Sequence, residues 1–557
     1  MPVLLFVALA AEDPPAPARF VDVTEVAGIR FTHVNGAFGK KYLPETMGSG
    51  CAFFDFDSDG DQDILLLSGT TWPGEKPAAR SISALYRNRG NGTFDDVTQG
   101  SGFDKPVYGM GVAIADYDAD GDPDVYLTAL GPNLLFRNDG GGKFTDVAAG
   151  AGVADHGFGA SATWLDYDGD SDLDLFLLNY VHWSPETDIY CSLDGKTKSY
   201  CTPESYDGAS PVLYRNEGKG KFTDVTREAG LHNPRGKGLG VAALDFDEDG
   251  HLDLAVANDT QPNNLYKNDG KGKFTDVGVL AGIAFSESGV ARGAMGIDAG
   301  DYDGSGRESL VIGNFSNEMI SLYHNEGRGF FIDAAPVSEV GRASLLTLAF
   351  GAFFFDFDLD GLLDIFIANG HVENDIQAVQ QRVTYAQPPH LFRNLGQSKF
   401  RDVAKEVGPD LGRPVVARGA AYGDIDGDGD LDLLVTTNGG KAYLYRNDLT
   451  APRSWIGFRL RGTASNRDGI GARIRVTAGG RTSTSTMKSA TGYLSQNQLP
   501  VIFGLGNAAA VEKVDILWPS GATQNVPGPA PGRIHLVEEK ASSPGGSMLL
   551  PGDRPRR

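Results

Sequence analysis

The residues able to do chemistry are aspartates in strict alternation. From Gly423 to Asp432 the chain reads G-D-I-D-G-D-G-D-L-D, with Asp424, Asp426, Asp428, Asp430 and Asp432 at every second position. Like charges this close repel one another unless a hard cation sits among them, and Ca²⁺ takes about six to eight oxygen ligands at ~2.3–2.6 Å. The pattern recurs as Asp55, Asp57, Asp59, Asp61 and Asp63; as Asp116, Asp118, Asp120, Asp122 and Asp124; and as Asp166, Asp168, Asp170, Asp172 and Asp174. Two more copies differ in the seventh slot: Asp245, Asp247, Asp249, His251 and Asp253, then Asp356, Asp358, Asp360, Leu362 and Asp364. A backbone carbonyl often serves that slot, so both copies stay competent. A further copy keeps Asp301 and Asp303 but continues with Ser305, Arg307 and Ser309. It is expected to bind weakly or not at all, which leaves about six calcium sites.

These loops are not EF-hands, which need a bidentate Glu at position twelve and two flanking helices. Position twelve here is Leu66, Leu127, Leu177, Val256, Ile367 or Val435. A ninth-position Asp takes the place of the Glu, and a short apolar run that reads as a buried strand takes the place of the helix. The competing reading is solvated acidic turns without metal. One such loop is a modest match, but six at regular intervals argue for the cation.

Elements that recur with the loops must position them. Each loop is followed by an L-[YF]-x-N element, as at Leu85–Asn88, Leu135–Asn138 and Leu265–Asn268. After a Gly-rich hairpin signal comes F-x-D-[VA], as at Phe94–Val97, Phe144–Val147 and Phe274–Val277. One unit is therefore a four-stranded antiparallel meander with the acid loop between its first two strands. Seven such units predict an all-β, seven-bladed propeller over residues 19–448. The last unit lacks its F-x-D-V element, and an unattached copy, Phe20-Val21-Asp22-Val23, precedes the first loop. It is expected to close the ring against Ala442–Arg446. Strand order puts the acid loops and hairpins on one face. The insertions Ser68–Ala84, Asn179–Pro211 and Asn369–His390 fall on the other, where a partner is expected.

The net charge is −24, which disfavours nucleic-acid binding. No run is apolar enough over ~18 residues to span a bilayer. Residues 1–18 read as a signal peptide and linker, with a small-residue cleavage site at Ala8-Leu9-Ala10. Cys191 and Cys201 are read as a disulfide and Cys51 as a buried thiol, which suits an oxidising, secreted or periplasmic setting. Residues 541–557 read as a disordered tail.

Residues 449–540 change composition and read as a small β domain. Its segments S-N-R-D-G-I-G-A-R, G-Y-L-S-Q-N, F-G-L-G and W-P-S-G resemble the ASPIC/UnbV domain, while the blades resemble FG-GAP/VCBS repeats. The combination is similar to the cartilage acidic protein 1 family. That resemblance implies a secreted, calcium-binding propeller used for extracellular interaction or cell adhesion, with protein or glycan as partner and no established catalytic residues. Gly532-Arg533 departs from the family pattern near the last strand. The alternative is a propeller-based polysaccharide lyase or hydrolase using His182, Trp183, His371, Glu373, Arg382, Tyr385 and His390. Tyr493 and Gln496 read as packing residues or ligand contacts, and Arg467 is expected to contact Asp468.

Overall fold

The run after each acid loop is short, β-branched or aromatic, and buried on both sides; Asp124–Ala129 is one example. Such a run suits a strand sandwiched between neighbouring sheets. The computed structural model, which describes residues 18–76 and 81–540, builds seven four-stranded antiparallel sheets from these runs. Blade 1 comprises Cys51–Phe54, Asp63–Leu66, Ala84–Asn88 and Phe94–Asp96. Blades 2 to 6 follow at 109–146, 159–224, 238–276, 294–333 and 349–402. Blade 7 takes Ala417–Gly423, Asp432–Thr437 and Tyr443–Leu449 from the end of the ring and its outer strand, Ala18–Asp22, from the beginning.

The closing register pairs Phe20 with Asn447, Val21 with Arg446 and Asp22 with Tyr445. The pairing starts at Ala18↔Leu449 and so runs further toward the chain end than Ala442–Arg446, because the closing strand begins two residues before Phe20. Phe20 is fully buried, its ring 6.2 Å from Phe357 of blade 6.

The innermost strands crowd together around the axis. Gly50, Gly111, Gly240, Gly296, Gly351 and Gly419 occupy matching places on them, with Ser161 in blade 3. A Cβ on Gly111 would lie 2.8 Å from the Ala160 carbonyl of the next blade, and the other five glycines meet the following blade the same way. Glycine gives the room for this approach, and the one side chain at a matching place, Ser161, turns its hydroxyl to donate to the Leu239 carbonyl of the next blade at 2.6 Å.

The axis is filled. Residues 489–498 of the C-terminal domain enter the channel and hydrogen-bond to innermost strands around it. Gln496 exchanges backbone bonds with Cys51 (3.0 Å) and Phe53 (3.2 Å), and its side chain brackets Ile114 at 2.6 and 3.1 Å. Gly492 pairs with Ile297, Ser489 with Trp164, and Asn497 with Tyr422. Tyr493 crosses the axis to donate its hydroxyl to the Met47 carbonyl at 2.8 Å. Tyr493 and Gln496 are thus buried packing residues.

The C-terminal domain packs two sheets on one core that includes Phe458, Ile474, Ile516 and Trp518. Its last strand, Ile534–Glu538, forms despite Gly532-Arg533 and pairs in parallel with Ser454–Arg461. Cys191 and Cys201 are bonded and Cys51 is a buried thiol. The readings for residues 1–17 and 541–557 fall outside the described residues.

Candidate metal centre

The acid loops share one conformation. Their fourth and sixth residues have positive φ, as in Ser58 and Gly60, Ala119 and Gly121, or Glu248 and Gly250; the eroded loop repeats it with Gly304 and Gly306. Two left-handed residues so close curl the chain and bring carboxylates at positions one, three and nine together. Carboxylate oxygens of Asp55, Asp57 and Asp63 lie within 4.8 Å of one another. So do those of Asp116, Asp118 and Asp124, of Asp166, Asp168 and Asp174, and of Asp245, Asp247 and Asp253. In blade 6 the group is Asp356, Asp358 and Asp360, with the ninth residue, Asp364, buried beside them.

Each carboxylate has a tethered side. The first Asp accepts a bond from the sixth residue's N–H: 3.1 Å from Gly60 to Asp55, 2.8 Å from Gly361 to Asp356, 3.0 Å from Gly429 to Asp424. The ninth Asp accepts from the second residue and from the Asn of L-[YF]-x-N, as Asp63 does from Phe56 (3.0 Å) and Asn88 (2.8 Å). Asp174, Asp253, Asp364 and Asp432 repeat this pair of bonds.

The other side faces inward without a partner. Asp55 Oδ1, Asp57 Oδ1, Asp124 Oδ2, Asp168 Oδ1, Asp247 Oδ1, Asp426 Oδ1 and Asp430 Oδ1 are buried with no hydrogen bond. Buried carboxylate oxygens are costly unless a proton or cation takes them. Burial is the largest cause pushing Asp63 and Asp253 up to about 8, and Asp124 and Asp174 up to about 9. Burial first and neighbouring aspartates next push Asp424 up to about 7 and Asp364 well above the ordinary range. This donor set, hard, anionic and oxygen-only, fits a calcium-like cation.

The remaining predicted ligands sit further out. Asp59, Asp120, Asp170, Asp249 and Asp428 are exposed at the loop turn, and Asp172 with them, while Asp61 and Asp122 are half-buried. The His251 ring rests on Gly270 and the Leu362 side chain lies near Gly396, so only their backbone carbonyls remain for the seventh slot. In the eroded loop Ser309 Oγ accepts the Asn325 N–H at 3.1 Å, replacing the ninth carboxylate.

Two roles in this site escape the alternation rule. The Asn of L-[YF]-x-N is a staple between blades. Asn268 Nδ2 donates to Leu252 in its own loop (3.2 Å) and to Tyr167 of the preceding blade (2.9 Å). Asn88, Asn138, Asn216, Asn325, Asn394 and Asn447 do the same, and Asn88 reaches Ile425 of blade 7 to complete the circle. The residue before it is a cation or histidine beside the third Asp. Lys267 pairs with Asp247, Arg393 with Asp358 (2.8 Å) and His324 with Asp303 (3.8 Å). The signal for both was invariance among the seven repeats: Asn in all, with Arg, Lys or His before it.

The C-terminal domain touches every loop. Arg459 pairs with Asp55 (2.9 Å) and Arg467 with Asp116 (3.2 Å). Arg467 therefore reaches across the interface and not to Asp468, whose carboxylate accepts the Asp116 N–H at 2.8 Å. Ser171 donates to Ala464, Gly471 packs on Leu252, and Arg473 donates to Gly306. Arg481 donates to Asp360 at 2.7 Å, and the Trp455 indole lies on Gly429.

The enzyme candidates fall in separate places: the Glu373 N–H donates to His371 Nδ1 at 3.0 Å and the His371 N–H to the Tyr385 carbonyl at 2.9 Å, while His182 and Trp183 line a different cleft. His390 bonds Asp402 (2.6 Å) at the outer strand of blade 6. His371 is buried near the axis, 3.4 Å from Ser316 Oγ. Glu373 pairs with Lys41 (3.1 Å), and Arg382 is exposed.

A closed ring of seven meanders, each carrying one acid loop at the same face, defines a repeat propeller. The chain belongs to the FG-GAP-like repeat family, whose model matches residues 55–127, 120–177, 192–256, 245–312 and 356–435, more than half of the sequence. The ASPIC and UnbV model matches residues 462–544. Cartilage acidic protein 1 of Xenopus tropicalis is 27% identical over 320 residues, 54% of this chain and 44% of that protein. The Homo sapiens protein of the same name is 25% identical over 342 residues, 59% and 40% of the two chains. The chain thus spans less than half the length of these curated relatives. Among solved structures, YCF48 bound to D1 peptide is 9% identical with a TM-score of 0.42, covering 78% of this chain and 96% of that one. No helix among the described residues is long and apolar enough to cross a membrane.

Proposed function

We propose that this protein is a secreted or periplasmic calcium-binding propeller that acts as an extracellular binding or adhesion module for protein or glycan. In this reading the ions are structural. They neutralise the aspartates and stiffen the blades, and the insertion face presents the binding loops. The observation that carries it is the set of buried, unpartnered carboxylate oxygens in the acid loops. Asp at positions one, three and nine would hold the ion, with the more exposed aspartates supplying oxygens or bound water. The acid-loop face is occupied by the protein's own C-terminal domain, which supports the opposite face as the one that meets partners.

Metal analysis and calorimetry test this. The purified protein should carry about six Ca²⁺ per chain. Chelation should lower its melting temperature by at least ~10 °C, since a ligand at 100 times its Kd stabilises by ~2.7 kcal/mol per site. A protein free of divalent ions, or an unfolding curve indifferent to EDTA, would reject the reading. An array of extracellular proteins and glycans, run with and without chelator, then identifies the partner class.

A further inference from the structure

Between blades 1, 2 and 3 the insertion face opens into a cleft of about 650 Å³. That size falls within the ~300–1,000 Å³ of small-ligand sites. We infer that this cleft binds a neutral saccharide and does not cleave it, an inference that rests on the insertion face being the binding face. Its walls carry Trp72, Tyr108, Phe158 and Trp183, and the exposed imidazoles of His156 and His182 stand at its edge. Among the described residues no lining side chain is an acid, lysine or arginine, although the chain bears a net −24.

Each class of occupant makes a different demand on such a wall. Sulfated or uronic glycans and phosphopeptides need Arg or Lys, and none is among the described lining residues. Glycoside hydrolysis needs two carboxyl groups across the bond, and no described lining residue carries one. A proline-rich peptide seeks aromatic grooves and offers mainly carbonyl acceptors. The ring donors it would use are out of reach: Tyr108 donates to the Asn35 carbonyl at 2.7 Å, Trp183 Nε1 donates to Asp188 at 3.2 Å, and Trp72 Nε1 is buried. What remains is apolar surface, exposed at Pro73, Pro106, Pro132 and Pro185 with the aromatic rings mostly buried behind it, together with imidazoles, each of which in neutral form offers one donor and one acceptor. A sugar matches both, with an apolar ring face and hydroxyls that donate and accept.

The cleft is also rigid before any ligand arrives. Tyr42 packs edge-on between Trp72 (5.2 Å) and Trp183 (5.3 Å). The insertion that carries Trp183 is closed by the Cys191–Cys201 disulfide. Pro106, Pro132 and Pro185 fix the rim. Such preorganisation lowers the ordering cost of binding.

The test uses the full, calcium-loaded chain and three neutral probes: cello-, manno- and chito-tetraose. Tryptophan fluorescence and saturation-transfer NMR read the binding. At least one probe should bind saturably. His156→Ala/His182→Ala and Pro132→Arg, each melting like the wild type, should weaken it about tenfold. Binding of heparin or a proline-rich decapeptide at the cleft in place of the neutral sugars overturns the inference. So does the absence of binding by all three probes. A protein partner that engages the insertion face and tolerates both variants overturns the cleft but leaves the broader proposed function standing, and loss of the metal reading shows separately as missing calcium.

Discussion

Asn268 is worth more to the ring than its size suggests. Its side-chain amide satisfies two carbonyls on different blades, and it is itself buried. Asn268→Ala leaves both acceptors without a donor, at about 1–3 kcal/mol each. We expect a loss of about 3 kcal/mol in urea unfolding, and an equal effect from Asn216→Ala. A change below ~1 kcal/mol would mean that water replaces the amide. The loop carboxylates predict the pH response. Burial raises Asp253 to about 8 and Asp174 to about 9, above their unfolded values. In EDTA their contribution is full below the unfolded carboxylate range, near pH ~4, and is lost progressively until pH passes 8 and 9. The buried imidazoles oppose this in acid. Burial first, then Arg418, lowers His33 to about 3 and His371 to about 4, so stability falls as pH drops below ~6.5. More aspartates are raised than histidines lowered, so the chelated protein should melt highest in mild acid and lose stability steadily toward pH 9, while excess calcium abolishes that loss. Thermal melts across pH 5–9 with and without calcium decide it.

Among elements, the strand Ala18–Asp22 has the largest leverage for its length. It covers the outer edge of blade 7, and without it that edge would present unpaired N–H and C=O groups. Deleting residues 19–25 should lower the melting temperature by more than ~10 °C, and Phe20→Ala alone should cost about 3–5 kcal/mol. An unchanged melt in the deletion would show that closure is dispensable. This strand was legible before any coordinates, because a repeat announces its missing piece: one F-x-D-V too many at the start and one too few at the end. The acid loops were legible for the same reason, with seven copies of one spacing. The plug and the interdomain arginines were not. Gln496 meets Ile114 across 382 residues, and nothing periodic marks that pair. Arg467 shows the limit plainly, since sequence proximity favoured Asp468 while the folded chain gives it Asp116.

For the molecule as a whole, the C-terminal domain is a lid on the acid-loop face, and its docking is tied to the state of the loops. Arg459 takes Asp55 Oδ2 while Asp55 Oδ1 stays unpartnered, so one carboxylate can serve the lid and a cation together. Arg459→Ala/Arg467→Ala should thus speed calcium loss to a chelator severalfold in stopped-flow measurements while leaving the number of ions bound unchanged. Equal release rates in both proteins would show that the lid does not gate exchange.

The plug and the closing strand also impose a timetable. The ring cannot be sealed until Leu449 has been synthesised to meet Ala18, and the axis stays hollow until residues 489–498 arrive. Six finished blades must therefore wait beside an open flank while residues 403–449 emerge, and long-range closure of this kind is slow. A chain interrupted anywhere before that point keeps its repeats but has no way to lock them. Quality control during biosynthesis would then meet this protein chiefly as an unsealed ring.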